Sequence, residues 1–440
     1  MNTFYTTKTA TTSGLSLALT LLASLLMGGC ATPPSVDITA AQPTPSTSLP
    51  SSAACYQPSC CDEASDATAL KFEPHRLNCR AIALTAAGKN NESFIALQAA
   101  IALAKAENVQ TAAATEVLCF TLNDAAHRAN DRGDDAGSQA LFAGNLAACS
   151  TRFGESSDTA AQALYGGASQ HLKHERYSVA LPQLQRVIAI TRSNGNRGLE
   201  SFATDAMGRL KDQSGDHAEG QRLLREAIAI KTAVFGAKSK EVAVSFTNLG
   251  ASYVDTNDGA TGREWYRRAF ALYAETLGAA DVSTLDVGSA LATSYLFDGE
   301  LKQAEKLYET LLPRFTETYG GTDEHTVAIV NDWGAALARQ QRYGEAFVKF
   351  EQAVAIRRVT VPNSIRYGYS ALNAAKMKKV TANCAAAEPL RSEARRVANT
   401  HMKAATRDDV DVVQFVKDTL NFEQECASGS AKAALRKKKK

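Results

Sequence analysis

The sequence predicts an all-α solenoid of antiparallel helix hairpins, in which each hairpin packs only against its neighbours. Three observations predict it. Similar text recurs at a constant interval through the middle of the chain, marked by the evenly spaced Gly236, Gly278 and Gly320. No stretch shows the strict apolar–polar alternation of a half-buried strand. Alanine and leucine are abundant, whereas only 11 prolines occur, most of them near the start, which favours helix. The 440 residues exceed what one compact core accommodates, and a repeat array escapes that limit.

The N-terminus reads as a targeting segment and stands outside the fold. Lys8 precedes an uncharged, mostly apolar run from Leu15 to Met27, shorter than the roughly 20 apolar residues a membrane-spanning helix needs. Leu26-Met27-Gly28-Gly29-Cys30 follows and resembles the lipobox of bacterial lipoproteins, with Met27 departing from the usual leucine. The resemblance implies a signal peptide over 1–29 and acylation of Cys30 by more than one chain, which anchors stably where one chain does not. Ala31, in place of an aspartate, implies the outer membrane, with the protein facing the periplasm.

Residues 30–54 carry the candidate lipidated cysteine and a linker rich in Pro, Ser, Thr and Ala without apolar periodicity, a flexible tether. From about Arg76 the chain reads as helical throughout. Residues 55–196 are expected to form N-terminal helical hairpins that contain cysteines. Of nine cysteines, eight remain beside Cys30, an even number after an export signal, which points to disulfides. Cys119 and Cys149 stand about equally far from a turn near Gly133, so antiparallel helices bring them opposite one another. Cys384 and Cys426 are placed likewise about a turn near residue 405. Cys55, Cys60, Cys61 and Cys79 leave two connectivities open, 55–60 with 61–79 or 55–61 with 60–79. A zinc site is the rival reading of that cluster, but paired Cys-x-x-Cys knuckles are missing and His75 is the lone nearby imidazole.

Residues 197–360 carry the regular repeats. Ala227-Ile228-Ala229-Ile230, Ala269-Phe270-Ala271-Leu272 and Ala353-Val354-Ala355-Ile356 occupy matching places, as do Asn248-Leu249-Gly250 and Asp332-Trp333-Gly334. The pattern resembles the tetratricopeptide repeat in the longer form of kinesin light chains. That family places a small residue at position 8 of helix A, matched by Gly250, Ala292 and Gly334. Position 20 of helix B is matched by Ala304 and Ala346, with Gly262 departing. The aromatic at 24 is Tyr266, Tyr308 and Phe350, and position 27 is Ala269 and Ala353, with Leu311 departing. The resemblance implies a right-handed superhelical solenoid. Small residues let helices A and B approach, and the aromatics are expected to fill the gap against the next hairpin. The glycine after helix B is expected to end it in a left-handed conformation. Residues 361–429 read as C-terminal capping helices and 430–440 as a basic, solvated tail ending in Lys437–Lys440.

No catalytic motif stands out: there is no phosphate-binding loop ending in Gly-Lys-Ser/Thr, no Gly-x-Ser-x-Gly and no His-Glu-x-x-His. Gly195-Asn196-Arg197-Gly198 reads as a turn between repeats, and His171, His174 and Glu175 as a solvated helix end rather than a metal site. A net charge of +2 leaves the folded body slightly acidic once the basic tail is set aside, without a nucleic-acid footprint. No metal or small-molecule cofactor is expected. The resemblance implies instead that helix A of each hairpin lines a groove holding a protein partner, peptide or folded domain. Its contact positions fall on Asp205 and Arg209, on Thr247 and Asp255, on Asp286, Ser289 and Thr293, and on Asn331 and Arg339, with Asn248 beside them. The expectation is a lipid-anchored scaffold of cell-envelope assembly, not an enzyme. A helical carbohydrate-binding protein or enzyme built near the N-terminal cysteines is the alternative, and a self-associating structural lipoprotein a third reading.

Overall fold

A computed structural model describes residues 73–106, 112–402 and 410–438. Cys30, Cys55, Cys60 and Cys61 lie outside the described residues. Those residues form seventeen helices and no strand. In order they are α1 (Glu73–Ala86), α2 (Asn90–Ala106), α3 (Ala112–Asp131), α4 (Asp135–Phe153), α5 (Asp158–Lys173), α6 (Tyr177–Asn194), α7 (Arg197–Gln213), α8 (His217–Phe235) and α9 (Lys240–Asp255). Then follow α10 (Gly259–Thr276), α11 (Val282–Phe297), α12 (Leu301–Tyr319), α13 (Glu324–Arg339), α14 (Tyr343–Thr360), α15 (Ile365–Thr381), α16 (Glu388–Met402) and α17 (Val410–Lys438). The fold class is the all-α hairpin repeat that the periodicity predicts. No described helix is long and apolar enough to cross a membrane.

The chain divides into two compact units, one up to Val234 and one from Phe235 onward. In the first, a core runs from Ala161 to Leu223, and a smaller one joins Ala81, Leu97, Ile101 and Leu122. In the second, one continuous core runs from Leu285 to Cys426. Alternate helices also touch: α1 with α3 and α5 with α7 in the first unit, α11 with α13 and α15 with α17 in the second. In these pairs the first helix of one hairpin, helix A, therefore lies beside the next helix A.

Local chemistry sets the boundaries. Ser239, Asp281 and Asp323, spaced at the same interval as the glycines, cap α9, α11 and α13 by accepting the N–H of Val242, Ser283 and His325. Just after the preceding helices α8, α10 and α12, Gly236, Gly278 and Gly320 take φ of 87°, 97° and 91°. The expected left-handed helical stop is corrected at Gly320, whose ψ of 155° lies in a region that essentially only glycine enters.

The departures from the family pattern have steric reasons. A Cβ on Gly262 would sit 2.9 Å from the Gly250 carbonyl oxygen and 2.6 Å from Val254 Cγ2, so two glycines bring α9 and α10 closer than an alanine permits. Leu311 occupies space that Gly288 leaves open, since a Cβ there would stand 2.9 Å from Leu311 Cδ2. Tyr266, Tyr308 and Phe350 are all fully buried. Within their own hairpins Tyr266 lies on Gly250 and Phe350 on Gly334, and Tyr308 and Phe350 share one core with residues of the following hairpins. At the C-terminal end α17 continues through Lys438, so the segment from 430, read as a solvated tail, extends the helix. Alanine and leucine favour helix there, and a basic end suits a helix C-terminus.

The cysteine geometry is local to two hairpins. Cys119 on α3 and Cys149 on α4 lie at disulfide distance, Sγ–Sγ 2.02 Å and Cα–Cα 4.8 Å. Cys384, in the turn before α16, and Cys426 on α17 do likewise, with Cα atoms 5.5 Å apart.

Candidate functional site on the A-helix face

The contact positions on helix A divide into side chains used inside the fold and side chains left available. In the first unit, Asp205 on α7 is 6% exposed and accepts from Lys231 Nζ of α8 at 2.8 Å. Lys231 is fully buried, its ammonium 5.1 Å over the Phe202 ring. Asp205 is thereby corrected from a partner contact to half of an internal ion pair. Arg209, one turn on, is half-buried, and its Nε is buried without a hydrogen-bond partner. It faces Tyr165, whose hydroxyl pKa is pushed up to about 12 by burial and then by Asp205, against the pull of Arg209.

In the second unit, Thr247 is 4% exposed and donates to the Ala243 carbonyl of its own helix at 3.0 Å. Asn248 is buried too, at 5% exposure. Both are corrected as open groove positions, since each is buried within the fold. Asp255 is exposed at the end of α9. Arg339 donates through Nη1 to the Leu296 carbonyl and satisfies an end carbonyl of α11. Its role is also corrected, from partner contact to capping. Asn331 accepts from Ser370 Oγ at 2.9 Å, and Ser370 accepts from Arg357 Nη1 at 2.6 Å. Arg357 holds both carboxylate oxygens of Glu324, at 3.1 and 2.6 Å, so Asn331 is tied into a chain joining α13, α14 and α15.

Besides Arg209 and the exposed Asp255, the remaining positions form a stripe on α11. Asp286, Ser289 and Thr293 recur at helical spacing, the last two half-buried, with Thr293 Oγ1 3.3 Å from the Tyr308 hydroxyl. Asp286 is 6% exposed, and its Oδ2 has no hydrogen-bond partner. Burial pushes its carboxyl up to about 6, opposed by His325 and reinforced by Asp281. The adjoining residues were not singled out by the sequence. Tyr319 stacks on His325, ring centroids 4.6 Å apart, and His325 Nδ1 lies 2.7 Å from Asp323 Oδ1. The cap register 281–323 was the signal that placed an acid beside this point in successive hairpins. Among the described residues, no group of three or more His, Cys, Asp or Glu is placed to hold a metal ion.

Asp286 makes stability pH-dependent. Its folded pKa stands above the ordinary 3.8, so its favourable contribution is complete below about pH 4 and is lost as pH rises through about 6. Asp286→Asn is expected to gain roughly 2–3 kcal/mol on the parent between pH 4 and pH 8. Thermal unfolding of both proteins across that range checks it, and a pH-independent difference would contradict it.

Family models described as tetratricopeptide repeat match residues 242–282 and 281–358. Residues 242–358 are tetratricopeptide repeats. Among solved structures, the apo form of RapI superposes with a TM-score of 0.57 at 12% identity, covering 68% of this chain and 80% of that one. That likeness supports the repeat fold. Two further structures show lower scores. Kinesin-light-chain TPR-like repeats from Podosopora anserina give a TM-score of 0.41 at 20% identity, over 46% of this chain and 95% of theirs. A Rap protein complexed with competence and sporulation factor gives 0.47 at 10% identity, over 74% and 87%. No curated protein matches the chain in a sequence search. Tetratricopeptide repeats point to protein–protein interaction.

Proposed function

We propose that this protein is a scaffold that holds a protein partner on its helix-A face, anchored by an acylated Cys30 in the outer membrane and facing the periplasm, in the service of cell-envelope assembly. The observation that carries the binding role is the stripe on α11, where Ser289 and Thr293 stay half-buried beside a carboxylate oxygen of Asp286 that no group of the fold satisfies. An unpaired buried charge is costly, so a partner that brings a donor to it gains a charge-assisted hydrogen bond. Ser289 and Thr293 extend the same stripe for a segment lying across α11. The lipobox at Cys30 and the tether behind it support the anchor, and the hairpin cysteine pairs suit an oxidising compartment.

Crosslinking and capture from intact cells tests this, comparing the parent with Ser289→Arg/Thr293→Arg, two half-buried positions whose variant is first checked for native helicity. A discrete protein captured by the parent and lost in the variant is the expected result, and an unchanged partner list would move the contact off this face. In the same cells Cys30→Ala is expected to lose acyl labelling and leave the membrane fraction, and unchanged partitioning would overturn the anchor.

A further inference from the structure

The first unit encloses a cavity of about 140 Å³ between α4, α5 and α6. Cavities near that size admit a molecule as large as benzene. Phe142 and Leu146 form an apolar wall on α4, Gly167, Gln170 and His171 line it from α5, and Gln183 from α6. Gly166, Gly208 and Gly250 follow one another at the repeat interval. That register puts Gly167 on α5 at the helix-A contact position that Arg209 holds on α7, with Gln170 about one turn further on.

Three buried polar atoms of this lining have no hydrogen-bond partner: Gln170 Oε1, Gln183 Oε1 and His171 Nδ1. Gln170 is 1% exposed. The orientation of its amide is fixed by its neighbours. Asn130 Oδ1 accepts from Lys173 Nζ at 2.8 Å, so it is an oxygen, and it also accepts from Gln170 Nε2 at 2.8 Å. Gln170 Nε2 lies 3.2 Å from His174 Nε2 as well. The nitrogen is thus turned away, and the carbonyl oxygen is the atom left without a partner. Burial, then Arg176 and His174, lower the His171 pKa, which keeps its ring neutral. A neutral imidazole can carry its proton on Nδ1 and donate.

We propose that this cavity is a recognition site for a primary carboxamide, whose two N–H groups donate to Gln170 Oε1 and Gln183 Oε1 and whose oxygen accepts from His171 Nδ1. Water also meets two acceptors and one donor, but it leaves the Phe142 and Leu146 wall uncovered, whereas the carbon stem of a carboxamide packs against it. A cation would be desolvated there without a countercharge, and a carboxylate would meet two carbonyl oxygens. The carboxamide is either an Asn or Gln side chain of a bound protein or a free small amide. The first source rests on the reading of the helix-A face as the partner surface, and the site itself does not.

Saturation-transfer NMR on the full chain with propionamide as probe tests the site. Saturable transfer is expected. It should be about tenfold weaker for N,N-dimethylpropionamide, which lacks the donors. Gly167→Leu is expected to abolish it by filling the cavity; a Cβ at Gly167 makes only ordinary contacts, 3.8 Å from Phe142 and 3.9 Å from Gln183 Oε1. Gln183→Leu removes one acceptor from a half-exposed position and should weaken binding without disturbing the fold. No transfer, meaning a cavity that takes water only, or equal transfer in Gly167→Leu, would overturn the proposal. Propionamide binding together with loss of the crosslinked partner in Gly167→Leu assigns the side-chain source, and binding with the partner retained assigns a free amide. A partner lost in Ser289→Arg/Thr293→Arg alongside absent propionamide binding would refute the carboxamide site and leave the scaffold reading standing.

Discussion

Replacing Lys231 by methionine is expected to cost about 3–5 kcal/mol of stability, because it leaves the Asp205 carboxylate buried without its ammonium partner. The pair spans α7 and α8 at 2.8 Å, and neither residue reaches the surface appreciably. Surface ion pairs of this protein, such as Lys238 with Glu275, are worth far less, since water screens both partners. The double variant Asp205→Leu/Lys231→Met removes both charges and is expected to recover most of the loss, as apolar replacements of buried pairs commonly do. Denaturant unfolding of the parent, the single and the double variant checks this. A single variant within about 1 kcal/mol of the parent would show that Asp205 finds another partner or reaches water.

Cys119→Ser/Cys149→Ser is expected to cost about 3–4 kcal/mol, the chain entropy of a closed loop whose ends stand 30 residues apart in sequence. The two bridges should also differ in their exposure to reductant. Cys119 and Cys149 are 1% and 2% exposed, and Asn145 Nδ2 donates to the Cys119 carbonyl beside them. Cys384 is half-exposed in a turn. Mild reductant on the folded protein is therefore expected to open 384–426 first, with 119–149 opening only as α3 and α4 separate. Alkylation and peptide mapping over time reads the order, and simultaneous opening would contradict it.

Much of the architecture is legible because the signals that encode it are short-range and repeated. Capping oxygens at Ser239, Asp281 and Asp323, stop glycines at Gly236, Gly278 and Gly320, and small residues at Gly250, Ala292 and Gly334 each act within one hairpin. Repetition at a constant interval then multiplies them. The cysteine pairs were legible for the same reason, since equal distance from a turn places residues opposite in any antiparallel hairpin.

The contact residues were less so. A helix-A register says which side of the helix a residue occupies, but not whether a neighbour claims it. Asp205 is claimed by Lys231, 26 positions on, Asn331 by Ser370, and Arg339 by the Leu296 carbonyl, 43 residues back. Those partners lie on other helices at spacings outside the repeat pattern. Thr247 and Asn248 are buried as well.

The sequence by itself determined the all-α hairpin repeat, its register, its turns and its two hairpin cysteine pairs, because each follows from local propensity and a fixed period. Only the tertiary structure decided which polar side chains stay available: Asp286 and its stripe on α11, and the carbonyl oxygens turned into the cavity at Gln170 and Gln183. Availability is what packing and hydrogen bonding leave over once every neighbouring helix has taken its share, and that remainder exists only when the helices are in place.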